Sequence, residues 1–213
     1  MDEVTRWRLI DEERRRLCVV LAALKPEQWA YSTLCGAWDV RHVVAHLKAA
    51  GSTGTFAWLV NMARSGLNTD RHNEGLMAPA LKLGAVELLK SYQTASDARI
   101  APFGSSQGLL GEVLVHSQDI AQPLGIELAP SEQALREVAE FFASKNFAVN
   151  SKTLVKKLSL VALDHEFTAG AGLEVRGSLV DLIMAMAGRQ TACERLEGEG
   201  AEILTSRIAA QNH

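Results

Sequence analysis

The chain has 213 residues, 22 Lys+Arg against 25 Asp+Glu, a formal charge of −3 and 47% hydrophobic residues. That is ordinary globular usage, which excludes a disordered, collagenous or low-complexity protein, and the lack of a basic excess argues against a general nucleic-acid binder. The three cysteines, Cys18, Cys35 and Cys193, have no short spacing and so suggest neither a disulfide framework nor a thiolate zinc pattern. The start Met1-Asp2-Glu3 carries no apolar signal core, and no stretch approaches the ~20 apolar residues of a membrane span. These features predict a soluble cytoplasmic protein.

Residues 1–150 read as helices. Val4, Trp7, Ile10, Leu17, Leu21 and Leu24 form the apolar stripe of a first helix, interrupted by the charges of Arg14 to Arg16. A turn-rich segment, Thr33 to Trp38, precedes Asp39, a side chain suited to cap a second helix. That helix carries Val40, Val43, Val44 and Leu47 and is expected to run on to about Met62, weakened by Gly51 and Gly54. The polar segment 64–79 reads as a long loop. Further helices are expected over about 85–98, 107–122 and 132–147, the last capped by Ser131. Four of these are long enough for an up-down bundle.

The period changes after Asn150. Leu158, Leu160 and Ala162 alternate like a strand, weaker strand patterns follow at 166–169 and 173–176, and Ser178 caps an apolar helix ending at Gly188. A last short helix covers about 201–210. The fold class expected is therefore mainly α with a small α+β part: a helical bundle over residues 1–150 and a small α+β domain over 151–213.

The chemistry concentrates on two helices. Glu112 and His116 are four residues apart around Val113, Leu114 and Val115, so they share one helical face. Asp119 follows one turn later, where it can support a ligand or hold substrate. His46 lies in the apolar run Val43 to Leu47. Bundle packing can bring His46 to Glu112 and His116, and two imidazoles with one carboxylate match catalytic zinc sites that keep a position open. Zn²⁺, Ni²⁺, Mn²⁺ and Fe²⁺ all suit such ligands. His42 competes with His46, because it lies four residues earlier on the same face. Arg71 and Arg176 are candidates to meet a substrate carboxylate; Arg176 sits at a strand end before a helix. Cys35 is a possible thiol beside the site, and Trp38 a packing anchor. The string Gly104-Ser105-Ser106-Gln107-Gly108 matches a nucleophile elbow, but Ala101-Pro102-Phe103 before it is not a buried strand.

Leu34-Cys35-Gly36-Ala37-Trp38-Asp39 with the helix to His46-Leu47 resembles the first signature of the mycothiol-dependent maleylpyruvate isomerase family, within the DinB-like superfamily. Leu110 to Ile120, with Glu-x-x-x-His-x-x-Asp, resembles its second signature, and Glu174 to Arg189 resembles the family's C-terminal part. The resemblance implies a DinB-like four-helix bundle followed by a small α+β domain. It implies that His46, Glu112 and His116 bind a divalent metal, usually zinc, with Asp119 close by. It also implies a low-molecular-weight thiol, mycothiol, as cofactor. Metal-assisted thiolate formation, addition to an activated double bond, rotation and elimination would isomerise an unsaturated acid; relatives in the superfamily transfer the thiol to an electrophile instead. The C-terminal part is expected to be shorter than in the characterised isomerases.

The leading expectation is thus a metal-dependent, thiol-using isomerase or S-transferase. Asp119 and Arg176 would be its acting residues, and a small thiol and an electrophile its partners. It would need no nucleic acid or membrane and would be a monomer or homodimer. The alternatives are a non-catalytic metal-binding or regulatory protein and a hydrolase using metal-bound water.

Overall fold

The computed structural model describes residues 1–66, 68–101 and 104–211. These fall into two compact units, 1–129 and 130–213.

In the first unit, helix α1 spans Glu3–Ala23, opened by Asp2, whose side chain accepts from the Thr5 N–H at 2.7 Å. A short 3-10 turn, Pro26–Ala30, leads into the loop before α2, Val40–Ala50, which Asp39 caps. Helices α3 (Thr55–Arg64) and α4 (Thr69–Leu81) come next, followed by α5 (Ala85–Ser96) and α6 (Ser106–Ala121). Helices α1, α2, α5 and α6 form the four-helix bundle: α1 packs on α6 and α5, and α2 on α5 and α6. Their apolar stripes meet in a core of Leu9, Ile10, Leu17, Val43, Val44, Leu47, Leu88, Leu109, Leu110, Val113 and Leu114, none more than 1% exposed. Each such side chain contributes roughly 1.5–3 kcal/mol by leaving water.

Two expectations for this unit are corrected. The second helix does not run on to Met62: it ends at Gly51, and α3 starts afresh at Thr55. Gly51 lies against the buried guanidinium of Arg14, where a Cβ would collide with Nη2 at 2.6 Å. The mid-helix charge that interrupts the α1 stripe is thus an interior group, and its Nη1 donates to the Ser96 carbonyl at 3.1 Å. The expected loop over 64–79 is largely helix α4, capped by Asn68 through the Arg71 N–H at 2.9 Å. Its buried stripe is His72, Met77 and Ala80, interleaved with Gly75 and Pro79, so the apolar period is hidden.

The second unit holds α7 (Glu132–Ser144), α8 (Ser151–Leu154), β1 (Leu158–Ala162), β2 (Thr168–Gly170), β3 (Leu173–Gly177), α9 (Leu179–Met186), α10 (Gln190–Cys193) and α11 (Ala201–Gln211). The sheet order is β2-β1-β3, with β2 antiparallel and β3 parallel to β1. The chain crosses from one side of β1 to the other through Gly170 and Gly172, with φ 80° and 139°; a side chain at either would strike the carbonyl of Leu158 or Lys157. The division near residue 150 expected from sequence is displaced to 129/130, because α7 packs against α9. The apolar faces of the two helices explain this: Val138, Ala139, Leu182 and Ile183 are all fully buried.

Candidate metal centre

Two helices of the bundle bring three side chains together. His46 on α2 and Glu112 on α6 meet through Nε2 and Oε2 at 3.0 Å. His116, one turn beyond Glu112, places its Nε2 3.2 Å from the same Oε2. The imidazole rings of His46 and His116 stand edge to face, 4.9 Å apart. One ligand atom from each of the three lies within 4.8 Å of the others, the spacing of a metal-binding group. The site is partly open: the side chains of His46 and Glu112 are 19% and 18% exposed, that of His116 8%.

His116 is oriented from behind. Its Nδ1 donates to Oδ2 of the fully buried Asp119 at 2.9 Å. A carboxylate can only accept, so the proton stays on Nδ1 and Nε2 is directed at Glu112. This carboxylate–histidine arrangement is the one that supports metal-bound imidazoles. Burial disfavours the charged ring, yet its contacts with Asp119, Cys35 and Glu112 outweigh burial and raise its pKa well above the ordinary range. Burial would likewise raise the pKa of Glu112, but hydrogen bonds from His116 and His46 hold the carboxyl far below its usual value. The three side chains thus form one mutually paired cluster of two imidazoles and a carboxylate. The donor set, two nitrogens and one carboxylate oxygen, fits a divalent zinc-type ion.

The turn before α2 covers one side of this cluster. Trp38 lies over both rings, 5.1 Å from His46 and 6.3 Å from His116, so the expected packing anchor packs on the site itself. Cys35 is a free, partly exposed thiol grouped with His116 and Asp119. His42 is diverted: its Nδ1 lies 2.6 Å from Oδ1 of Asp39, the oxygen that also accepts the His42 main-chain N–H.

The remaining sequence candidates lie elsewhere. Ser105 is the N-cap of α6, its hydroxyl accepting from the Gly108 N–H at 3.1 Å, and Pro102 and Phe103 lie outside the described residues. Arg71 is exposed on the first turn of α4. Arg176 belongs to the second unit, on β3, with Nη1 3.7 Å from Glu174 and its main chain bridged to Glu197. Sequence reasoning does not single out His72, which is buried at 1% exposure on α4 and held by Asn61 of α3. No motif marks it, because its segment reads as a loop.

Among the described residues no helix is long and apolar enough to cross a membrane. Residues 10–101 match the family model of the mycothiol maleylpyruvate isomerase N-terminal domain. Among solved structures the chain is similar to the mycothiol-dependent maleylpyruvate isomerase, with TM-score 0.64, 16% identity and 94% of each chain covered. It is similar also to a histidine-to-alanine mutant of that isomerase, with TM-score 0.66, 16% identity and the same coverage. Equal coverage of both chains removes the expectation of a shortened C-terminal part. No curated protein sequence matches the chain. The matched segment contains the Cys35-to-Leu47 signature and His46, so the first unit is similar to the mycothiol maleylpyruvate isomerase N-terminal domain.

Proposed function

We propose that the protein is a thiol-dependent enzyme that isomerises a cis-unsaturated acid, with a divalent metal held by His46, Glu112 and His116 and mycothiol as the thiol. One observation carries the reading: three metal-type ligands from two helices converge, and the third is braced by a buried carboxylate. The family and the two structural neighbours, both described as mycothiol-dependent maleylpyruvate isomerase, support the reaction class.

A bound divalent ion would supply Lewis acidity, lowering the pKa of a coordinated thiol towards neutrality. The protein's own residues do the rest. Asp119 holds His116 in the tautomer that presents Nε2, and so acts as a positioning residue rather than touching substrate. Trp38 shields one side of the cluster from water.

The test is turnover of maleylpyruvate by zinc-loaded protein with and without mycothiol. Isomerisation that needs both the thiol and His116 supports the proposal. Thiol-independent hydrolysis, or no turnover by protein that holds metal, would overturn it.

A further inference from the structure

The α3–α4 pair contributes a second feature to the bundle, a histidine with one nitrogen clamped and the other unused. Asn61 Nδ2 lies 2.8 Å from the His72 main-chain carbonyl and 2.9 Å from His72 Nδ1. The carbonyl can only accept, so the amide nitrogen faces it, and the second amide hydrogen is given to Nδ1. Nδ1 is therefore the acceptor, and the ring proton sits on Nε2. Gly75 leaves room for the clamp: a Cβ there would lie 3.1 Å from Asn61 Oδ1. Trp58 packs on the ring, with centroids 4.5 Å apart.

This elaborate support ends in a donor with nothing to donate to. His72 is 1% exposed, and its Nε2 is buried without a hydrogen-bond partner among the described residues. An unpaired buried polar group costs roughly 1–3 kcal/mol, so a folded protein rarely keeps one without use. Helix α4 packs directly on α2, the helix that carries His46. Burial, with the charge of His46 as the smaller cause, lowers the pKa of His72, and the Asn61 clamp leaves the proton of the neutral ring on Nε2.

We infer that His72 is a specificity-determining residue whose Nε2–H, fixed by Asn61, donates to an anionic oxygen of the ligand that enters beside the His46–Glu112–His116 cluster. The inference deepens the proposed function by naming a contact for the acid substrate. A neutral donor suits a carboxylate or enolate oxygen there, because a second cation would be repelled by the metal.

The experiment is calorimetric titration of metal-loaded protein, without thiol, with maleate, a cis-unsaturated dicarboxylate. It compares wild type with His72→Phe, which keeps the ring shape but loses the donor, and with His72→Gln, which restores an N–H. Losing one hydrogen bond to a charged group predicts at least about 10-fold weaker maleate binding by His72→Phe. His72→Gln is expected within about threefold of wild type, by the same reckoning. The Nε2–H proton resonance of wild type should move downfield when maleate is added. Unchanged affinity in His72→Phe, no maleate binding by wild type, or loss of metal from His72→Phe would each overturn the inference. Maleate binding that depends on His72, in a protein without thiol-dependent turnover, would sink only the proposed function.

Discussion

The main-chain carbonyl of Asp119 accepts the N–H of Leu34 at 3.2 Å. Within α6 this carbonyl would be paired by the N–H four residues on, but that residue is Pro123, which has none. The freed acceptor therefore docks the turn that carries Cys35 and Trp38 onto the end of α6. Asp119 thus works twice: its carbonyl pins the turn and its carboxylate orients His116. Asp119→Asn separates the two roles, because the main-chain bond remains. Its metal affinity is expected to fall about 10- to 100-fold, measured by competition with a chelator, while the far-ultraviolet circular dichroism stays that of wild type. Equal affinity would show that the buried carboxylate is not part of the metal site.

The three proposed ligands should act as a set. Purified wild type is expected to carry near-stoichiometric zinc or a similar divalent ion by elemental mass spectrometry. His46→Ala, His116→Ala and Glu112→Gln should each lose it. Added zinc at 100 times its dissociation constant should stabilise the wild type by about 2.7 kcal/mol, and should leave the thermal midpoints of these variants unmoved. A variant that retains metal and the zinc-induced shift would remove that residue from the set.

Without metal, the charges of Glu112 and His116 make stability depend on pH in two directions. Glu112 is held below its ordinary 4.5, so its contribution is full above that pH and fades as pH falls towards the depressed value. His116 is held above its ordinary 6.5, so its contribution is full below 6.5 and fades as pH rises through the raised value. Metal-free protein should therefore show a urea midpoint that declines on both the acid and the alkaline side. His116→Gln should flatten the alkaline limb. An identical profile in that variant would mean that the His116 pairings contribute nothing to folding.

The crossing beneath β1 should tolerate no side chain. Gly172 combines φ 139° with the carbonyl of Lys157 where a Cβ would stand. Gly172→Ala is expected to cost about 1–3 kcal/mol from backbone strain alone, read as a lowered denaturant midpoint. Metal content, set in the other unit, should not change. A neutral substitution would mean that the crossing relaxes freely.

Much of the site was legible because each half is a local pattern. The Asp39 cap and the His46 register follow from one helix, and the Glu112–His116–Asp119 face from another. His42 and His46 share a face, and the position of His42 in the first turn favoured His46; in the fold the Asp39 carboxylate engages His42, while His46 meets Glu112. Helix α4 stayed hidden because His72, a polar residue, opens its buried stripe and Gly75 and Pro79 break its composition. The Asn61–His72 clamp joins two helices through a contact that no periodicity encodes. The unit boundary was misplaced because an amphipathic helix such as α7 advertises an apolar face without naming the surface that covers it.

Helix α3 buries no residue of its own and leans chiefly on α4, which in turn grips α2. The amides of α3 are therefore expected to exchange with solvent through a local opening of low free energy, and those of the deeply buried α6 only when the whole bundle unfolds. The bond between Asn61 and His72 spans that seam, so the protection of α3 amides becomes a clock for how long the clamp stays shut.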